Sequence, residues 1–248
     1  ICPCDYVWLL GEDDRMLPHG VKTVLRELEG EDVPFLYVNY SAADNNVRFL
    51  IKERSLPIRK NQRMAAEDFY RGASWSMGFI GACVIQKASW NPIDETPYLD
   101  TFFAHVGRIM EGIYGSEVIM IAEPLILNRC GSPEAFSWTG DAVEVFTGWE
   151  KMTRKLEGTY SKESGQESLA HFQKAHGIGS LKLLMYLRAA GVYNLKMKQL
   201  LVRTQDYGYF YRMMSWVIAL SPPGIWKVVR ALLMAHRKLR SPLPTNPK

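Results

Sequence analysis

The apolar positions change their period several times along the chain. "YVWLL" (6–10) is a short continuous apolar run closed by Gly11, the pattern of a buried strand. Pro18 then opens a helix. Val21, Val24, Leu25 and Leu28 form its apolar face, and Gly30 stops it. "PFLYVNY" (34–40) is a second strand. Strand, acidic loop, helix and strand make an α/β opening. Residues 41–75 are polar and irregular. Their basic run "KERSLPIRKNQR" (52–63) reads either as a solvated loop or as a mobile one that touches phosphate or an anionic acceptor.

"SMGFIGACVIQKASW" (76–90) returns to strand character, with Gly78 and Gly81 marking a close approach. The next segment predicts a helix capped by Thr96 and opened by Pro97. Leu99, Phe102, Val106, Ile109 and Ile113 are its buried stripe, and Asp100 falls off it. "EVIMIAEPLILNR" (117–129) is one or two strands broken at Pro124. From about residue 140 the pattern is helical: 142–156, then one or two helices over 180–204 with Ser180 as cap, then 222–240. The expected division is therefore an α/β catalytic part over 1–139 and a helical region over 140–248. No run reaches the roughly 18–20 apolar residues that a membrane span needs.

Composition is ordinary for a globular chain: 248 residues, 47% hydrophobic and 23% charged. Four cysteines are too few for a disulfide framework at this size. Cys83 sits in an apolar run, Cys130 flanks a turn, and Cys2 and Cys4 form a C-x-C without a second ligand pair. These features suit a reducing, cytoplasmic compartment. The chain begins with Ile1 and enters a strand almost at once, which reads as a fragment whose N-terminal part lies elsewhere.

Charge is spread unevenly. Past Asp206 there is no acid, while Arg212, Lys227, Arg230, Arg237, Lys238, Arg240 and Lys248 remain. On the last helix Ile225, Val228, Val229, Leu232 and Leu239 share an arc, extended by Trp226 and Leu233, with Lys227, Arg230, Arg237 and Lys238 on another. Two readings stand: a helix lying in an anionic membrane interface, or a helix packed on the rest of the chain with a solvated basic face. The first implies an enzyme peripheral on the inner face of the cell membrane. No groove-reading motif accompanies the basic tail, so nucleic acid is not an expected partner.

The chemistry centres on "GEDD". Glu12, Asp13 and Asp14 follow the first strand directly, and like charges at such spacing resist ionisation unless a cation joins them. Hard cations such as Mn²⁺ or Mg²⁺ take one or two protein carboxylates and leave the rest of their shell to substrate phosphates. Acids near a helix N-terminus are also favoured by the macrodipole alone. Spacing does not choose between these.

"WLLGEDDRMLPHGVKTVLREL" resembles the metal-binding segment of family 2 glycosyltransferases with the GT-A fold. Gly11 stands where that family's first Asp often is, and Asp13 and Asp14 stand at its later acids. In the abequosyltransferase-like, O-antigen branch a Gly-Asp-Asp-Asp version occurs, in which Glu12 would replace the first Asp. "FLYVNY", "FIGACVIQKASW", "YLDTFFAHVGRI" and "AEPLILNRCGS" follow in the family's order, so the resemblance covers roughly residues 5–135.

The resemblance implies the C-terminal half of a GT-A domain, Rossmann-like with a mixed sheet, without most of its nucleotide-base half. It implies inverting, metal-dependent transfer of a sugar from a nucleotide-sugar donor to a saccharide or lipid-linked acceptor, in surface polysaccharide or O-antigen synthesis. Asp13 and Asp14 would hold Mn²⁺ or Mg²⁺, with Glu12 beside them. Asp100 would be the general base, with Asp94 and Glu95 next in line. Asp100 also fits a first-turn acid that stabilises its helix. His105 reads as a satisfied, partly buried histidine. Among Trp75, Trp90 and Trp138, Trp138 is the expected sugar-stacking ring. The competing classes are a non-catalytic degenerate domain or membrane-bound scaffold, and a nucleotidyltransferase that would release pyrophosphate.

Overall fold

A computed structural model describes residues 4–44, 46–130, 141–195, 197–198 and 208–240; in the last stretch side chains are described as far as Leu232, Arg230 excepted. The expected α/β class holds: the fold is mixed α/β. Seven strands among these residues form one mixed sheet: β1 (Tyr6–Trp8), β2 (Arg15–Met16), β3 (Phe35–Asp44), β4 (Leu50–Lys52), β5 (Gln62–Ala65), β6 (Cys83–Gln86) and β7 (Glu117–Cys130). The main path runs β1-β6-β3-β7-β2, with β4 added to β3 and β5 to β7. Only β3 and β7 pair in parallel; the other ladders are antiparallel.

The centre of the sheet follows from β3. Phe35, Leu36, Tyr37 and Val38 are all fully buried, as a strand covered on both faces requires. Alternation then sorts them. Phe35 and Tyr37 join the larger core with Val118 and Met120 of β7, and Leu36 and Val38 join the smaller one with Ile119 and Ile121. The smaller core is closed by α1 (Gly20–Leu28) through Val24. The larger is closed by α2 (Ala66–Gly72), α4 (Ala104–Gly112), α5 (Ala142–Lys155) and α6 (Lys162–His176); α3 (Lys87–Trp90) is a single turn. The helices α7 (Leu181–Ala189), α8 (Tyr209–Leu220) and α9 (Pro223–Arg240) complete the described chain.

At one point the central ladder slips. Val38 pairs with Ile121 but Tyr40 pairs with Ile126, so β7 bulges around Pro124, which has no N–H to give. Asn39 fills the gap. Its Nδ2 donates to the carbonyls of Leu56 (2.9 Å) and Ala122 (3.0 Å). Its Oδ1 accepts from the backbone N–H of Ser55 and Leu56 and from the Ser55 hydroxyl.

Several elements differ from the sequence reading. β1 is a half-buried edge strand, and Leu9 and Leu10 beyond it are exposed. α1 starts at Gly20 rather than Pro18, and Val21 and Leu25 face solvent at 50% and 63% exposure. The expected irregular stretch 41–75 contains the end of β3, then β4, β5 and α2. Strand character in 76–90 is confined to β6, preceded by 3-10 turns. The helix expected from Thr96 breaks: Thr96–Tyr98 is a 3-10 turn, and the Thr101 hydroxyl takes the Phe103 N–H at 3.1 Å, so α4 begins only at Ala104. Leu99 and Phe102 are consequently exposed, while Val106, Ile109 and Ile113 are buried as expected. The 117–129 segment is one strand. α5 and the Ser180 cap hold, the latter accepting from Leu183 N. α6 and α8 were not among the expected elements. Cys83 and Cys130 are free thiols, whereas Cys4 is disulfide-bonded, a bond the sequence reading did not anticipate.

Candidate active site

The acidic loop is pinned at both ends. β1 pairs with β6, and the Trp8 indole donates to the Gly81 carbonyl at 2.8 Å. β2 pairs with β7, and Leu17 N donates to Leu125 O at 2.8 Å. Because β3 lies between β6 and β7, residues 9–14 cross the sheet from one edge to the other. The loop leaves β1 level with Leu36, near the start of β3, and brings Asp13 and Asp14 to the carboxyl end of β7, the end of the parallel strands where open α/β sheets take their ligands. Arg129, one residue from the end of β7, donates its Nε to the Asp13 carbonyl.

Within the loop a tight turn closes through Asp14 N to Gly11 O at 3.2 Å. Asp13 and Asp14 both fold back over Gly11. A Cβ added there would lie 2.8 Å from Asp14 Oδ2 and 2.9 Å from Asp13 Oδ1. The missing side chain at Gly11 is thus what lets the two carboxylates approach the backbone. Burial, and then the Asp13 charge, push the Asp14 carboxyl up to about 6, with Arg129 and backbone hydrogen bonds offsetting part of the rise. Burial and the charges of Asp14 and Asp13 likewise raise the Cys130 thiol, so Cys130 borders the pair. Glu12 is exposed at the turn.

The other candidates lie on the connection before α4, each with a local partner. Asp94 Oδ1 accepts from Thr96 N at 2.9 Å, and the Thr96 hydroxyl foremost, then this N–H, hold its carboxyl below the usual range. Glu95 pairs with Arg108, whose guanidinium also lies 4.1 Å from the centre of the Trp90 ring. Asp100 is exposed. It accepts from the Lys155 ammonium and sits 4.0 Å from Lys151, both on α5, and Lys155 foremost lowers its carboxyl. So the structure brings Asp13 and Asp14 together. It gathers Asp94, Glu95 and Asp100 on one segment, where each has its own neighbour.

His105 is satisfied, as expected: Nε2 lies 2.8 Å from the Met77 carbonyl oxygen, and burial lowers its pKa. Trp75 carries the Lys52 ammonium 4.9 Å from its ring centre. Trp138 lies outside the described residues. Of the basic run, Lys52 donates to Ser55 O at 2.9 Å and Arg63 pairs with Glu31, while Arg54, Arg59 and Lys60 are exposed. Arg129 and Cys130 are the site neighbours that sequence reasoning missed; only the strand register brings them beside residues 13 and 14.

Two aspartates with hard oxygen donors suit a Mn²⁺ or Mg²⁺ ion that draws its remaining ligands from a bound phosphate group. Among the described residues no group of three or more His, Cys, Asp or Glu is arranged to hold a metal, a number that such a shared site does not need. No family model matches the chain, and no curated protein matches its sequence.

Proposed function

We propose that this chain carries out inverting, metal-assisted glycosyl transfer of the GT-A kind, from a nucleotide-sugar to an acceptor hydroxyl in surface polysaccharide or O-antigen assembly. The observation that carries this reading is the folding of Asp13 and Asp14 over Gly11, at the carboxyl end of β7. Asp13 and Asp14 would hold a Mn²⁺ or Mg²⁺ ion, with Glu12 at the rim. When bound, that ion supplies positive charge to the departing nucleoside diphosphate. Arg129 fixes the loop through the Asp13 carbonyl and adds a cation beside it.

Asp100 is the proposed base. Lys155 and Lys151 keep it ionised, the form that can accept a proton from the attacking hydroxyl, at the expense of basicity. Asp94 and Glu95 are committed to Thr96 and Arg108 and serve as the alternatives. The acceptor is a saccharide, free or lipid-linked.

The test is product analysis after incubation with nucleotide-sugars, an acceptor mixture and Mn²⁺. Release of nucleoside diphosphate with sugar transfer supports the reading. Release of pyrophosphate would point to nucleotidyl transfer and overturn it. A second reading, a non-catalytic domain, is favoured by one observation: each of the three candidate bases already has a partner. It expects no turnover with any donor.

A further inference from the structure

The helix α8 is amphipathic in the reverse sense. Ser215, Ile218 and Ala219 are buried, and Tyr193 donates to the Ser215 carbonyl at 3.3 Å. The opposite arc carries Tyr209, Phe210, Met213, Trp216, Val217 and Leu220, exposed by 84, 64, 43, 47, 50 and 64%. At 100° per residue these six fall within one arc of roughly 120°. An apolar arc of this size is far more than the scattered exposed side chains of an ordinary surface.

The helix is firmly seated, so the arc is not a packing face left loose. Arg188 of α7 donates to the Ser221 carbonyl through Nε (2.9 Å) and Nη2 (2.6 Å). Trp226 donates from its indole to the Ser221 hydroxyl at 2.5 Å and packs against the main core. Just beyond, α9 exposes Ile225, Val228 and Leu232 at i, i+3 and i+7. The Trp226 flank of its expected apolar arc therefore turns inward, and those three positions turn outward.

Charge says what covers this surface. From residue 207 to 248 there is no Asp or Glu against seven Lys and Arg, in a chain whose remainder is slightly acidic. Lys227 is exposed beside the outward positions of α9, whereas Lys198, its ammonium 3.9 Å from the centre of the Trp216 ring, is itself buried beneath that ring. Exposed aromatic and aliphatic side chains in an acid-free, cationic segment match the boundary layer of an anionic bilayer. Among the described residues no helix is long and apolar enough to cross a membrane, so the contact is one of lying on the surface.

We propose that the outward arc of α8, continued by Ile225, Val228 and Leu232 of α9, is a docking surface for an anionic lipid bilayer. The sequence pointed only to the last helix; the structure makes α8 the larger contributor. The inference stands apart from glycosyl transfer, and its test reads no activity.

The test is flotation of the full chain with vesicles of phosphatidylcholine alone and of phosphatidylcholine mixed with phosphatidylglycerol. The expected result is binding to the mixed vesicles that weakens as salt is raised. The variant Phe210→Ser/Val217→Ser/Leu220→Ser should lose affinity by about tenfold per side chain, with its circular dichroism spectrum and melting unchanged because all three are exposed. Lys227→Gln should lose about fivefold. Failure to float with either vesicle, or undiminished flotation of the triple variant, would overturn the proposal. So would a dimer in sedimentation velocity that the triple variant dissociates while vesicles are ignored, since the arc would then belong to a second copy.

Discussion

Lys155 donates its ammonium to the Asp100 carboxylate and to the Pro97 carbonyl, tying the last turn of α5 to the segment that leads into α4. Both partners are substantially exposed, so the pair is a poor source of stability. Its consequence is for basicity. Lys155→Met removes the main cause of the lowered Asp100 carboxyl, which then rises toward its ordinary value. If Asp100 is the base, the acid limb of the kcat/KM profile moves to higher pH while melting stays the same. Asp100→Asn should cost about 10²–10⁴-fold in rate. A full-rate Asp100→Asn would remove Asp100 from the chemistry.

Asp14 is a case of stability given up at a site. Its carboxyl rises to about 6 in the folded protein, against an ordinary 3.8, so the folded state binds its proton more tightly than the unfolded chain. The folded state is therefore favoured most below about 3.8, and that advantage is lost as pH rises to about 6. Asp14→Asn should stabilise the protein above pH 6 by about 1 kcal/mol, the full shift being reduced for a half-exposed group. At low pH the two proteins should melt alike. Melting curves at pH 7.5 and 3.5 (approximate settings, chosen on either side of the two values) check this. A destabilised Asp14→Asn at the higher pH would contradict it.

Gly11→Ala tests the close approach directly. The new Cβ would meet carboxylate oxygens at 2.8 and 2.9 Å, which are ends of flexible side chains and can swing away. The chain should fold with little loss, but the two carboxylates should separate from the backbone and from each other. Metal affinity should fall by about tenfold or more, on the order of one lost ligand interaction. Calorimetric titration with Mn²⁺ and a nucleoside diphosphate reads it. An unchanged affinity would mean that the approach to Gly11 plays no part in holding a cation.

Asn39 joins β3, β7 and the Ser55–Leu56 turn through buried hydrogen bonds. Asn39→Ala takes the acceptor from the Leu56 N–H and the amide donor from the Leu56 and Ala122 carbonyls, while the Ser55 N–H keeps the Tyr40 carbonyl at 2.8 Å; it should destabilise by about 2 kcal/mol or more. Denaturant unfolding measures this. A loss below about 1 kcal/mol would show that the bulge at Pro124 holds without the asparagine.

The parts of the fold that were legible are those where burial and hydrophobicity coincide. β3 announced itself as a continuous apolar run, β7 as one or two apolar strands on either side of Pro124, and α5 as a helix. Elsewhere the two part company. The buried face of α6 is Ser164, Gly165, Ser168 and Phe172, three of them small, and Gly165 packs close to Tyr70 of α2, so no apolar period marks it. α8 carries its large apolar residues on the outside and one charge along its length, which leaves no polar face to set a period. Thr101 interrupts the start of the expected helix through its hydroxyl, so that α4 begins late, a competition that periodicity does not register. At the site, three acids after an apolar run were readable as chemistry. Their closeness to Arg129 and Cys130 depends on pairing between β2 and β7, more than a hundred residues apart, and nothing local encodes it.

The central claim is that Asp13 and Asp14 hold a cation that in turn holds a diphosphate. The most direct measurement is calorimetric binding of nucleoside diphosphates with and without Mn²⁺, beside Asp13→Asn. The account predicts binding that requires the metal and is lost in the variant. Metal-independent binding, or equal binding by Asp13→Asn, would contradict it and leave the acidic loop as a charged turn at the edge of the sheet.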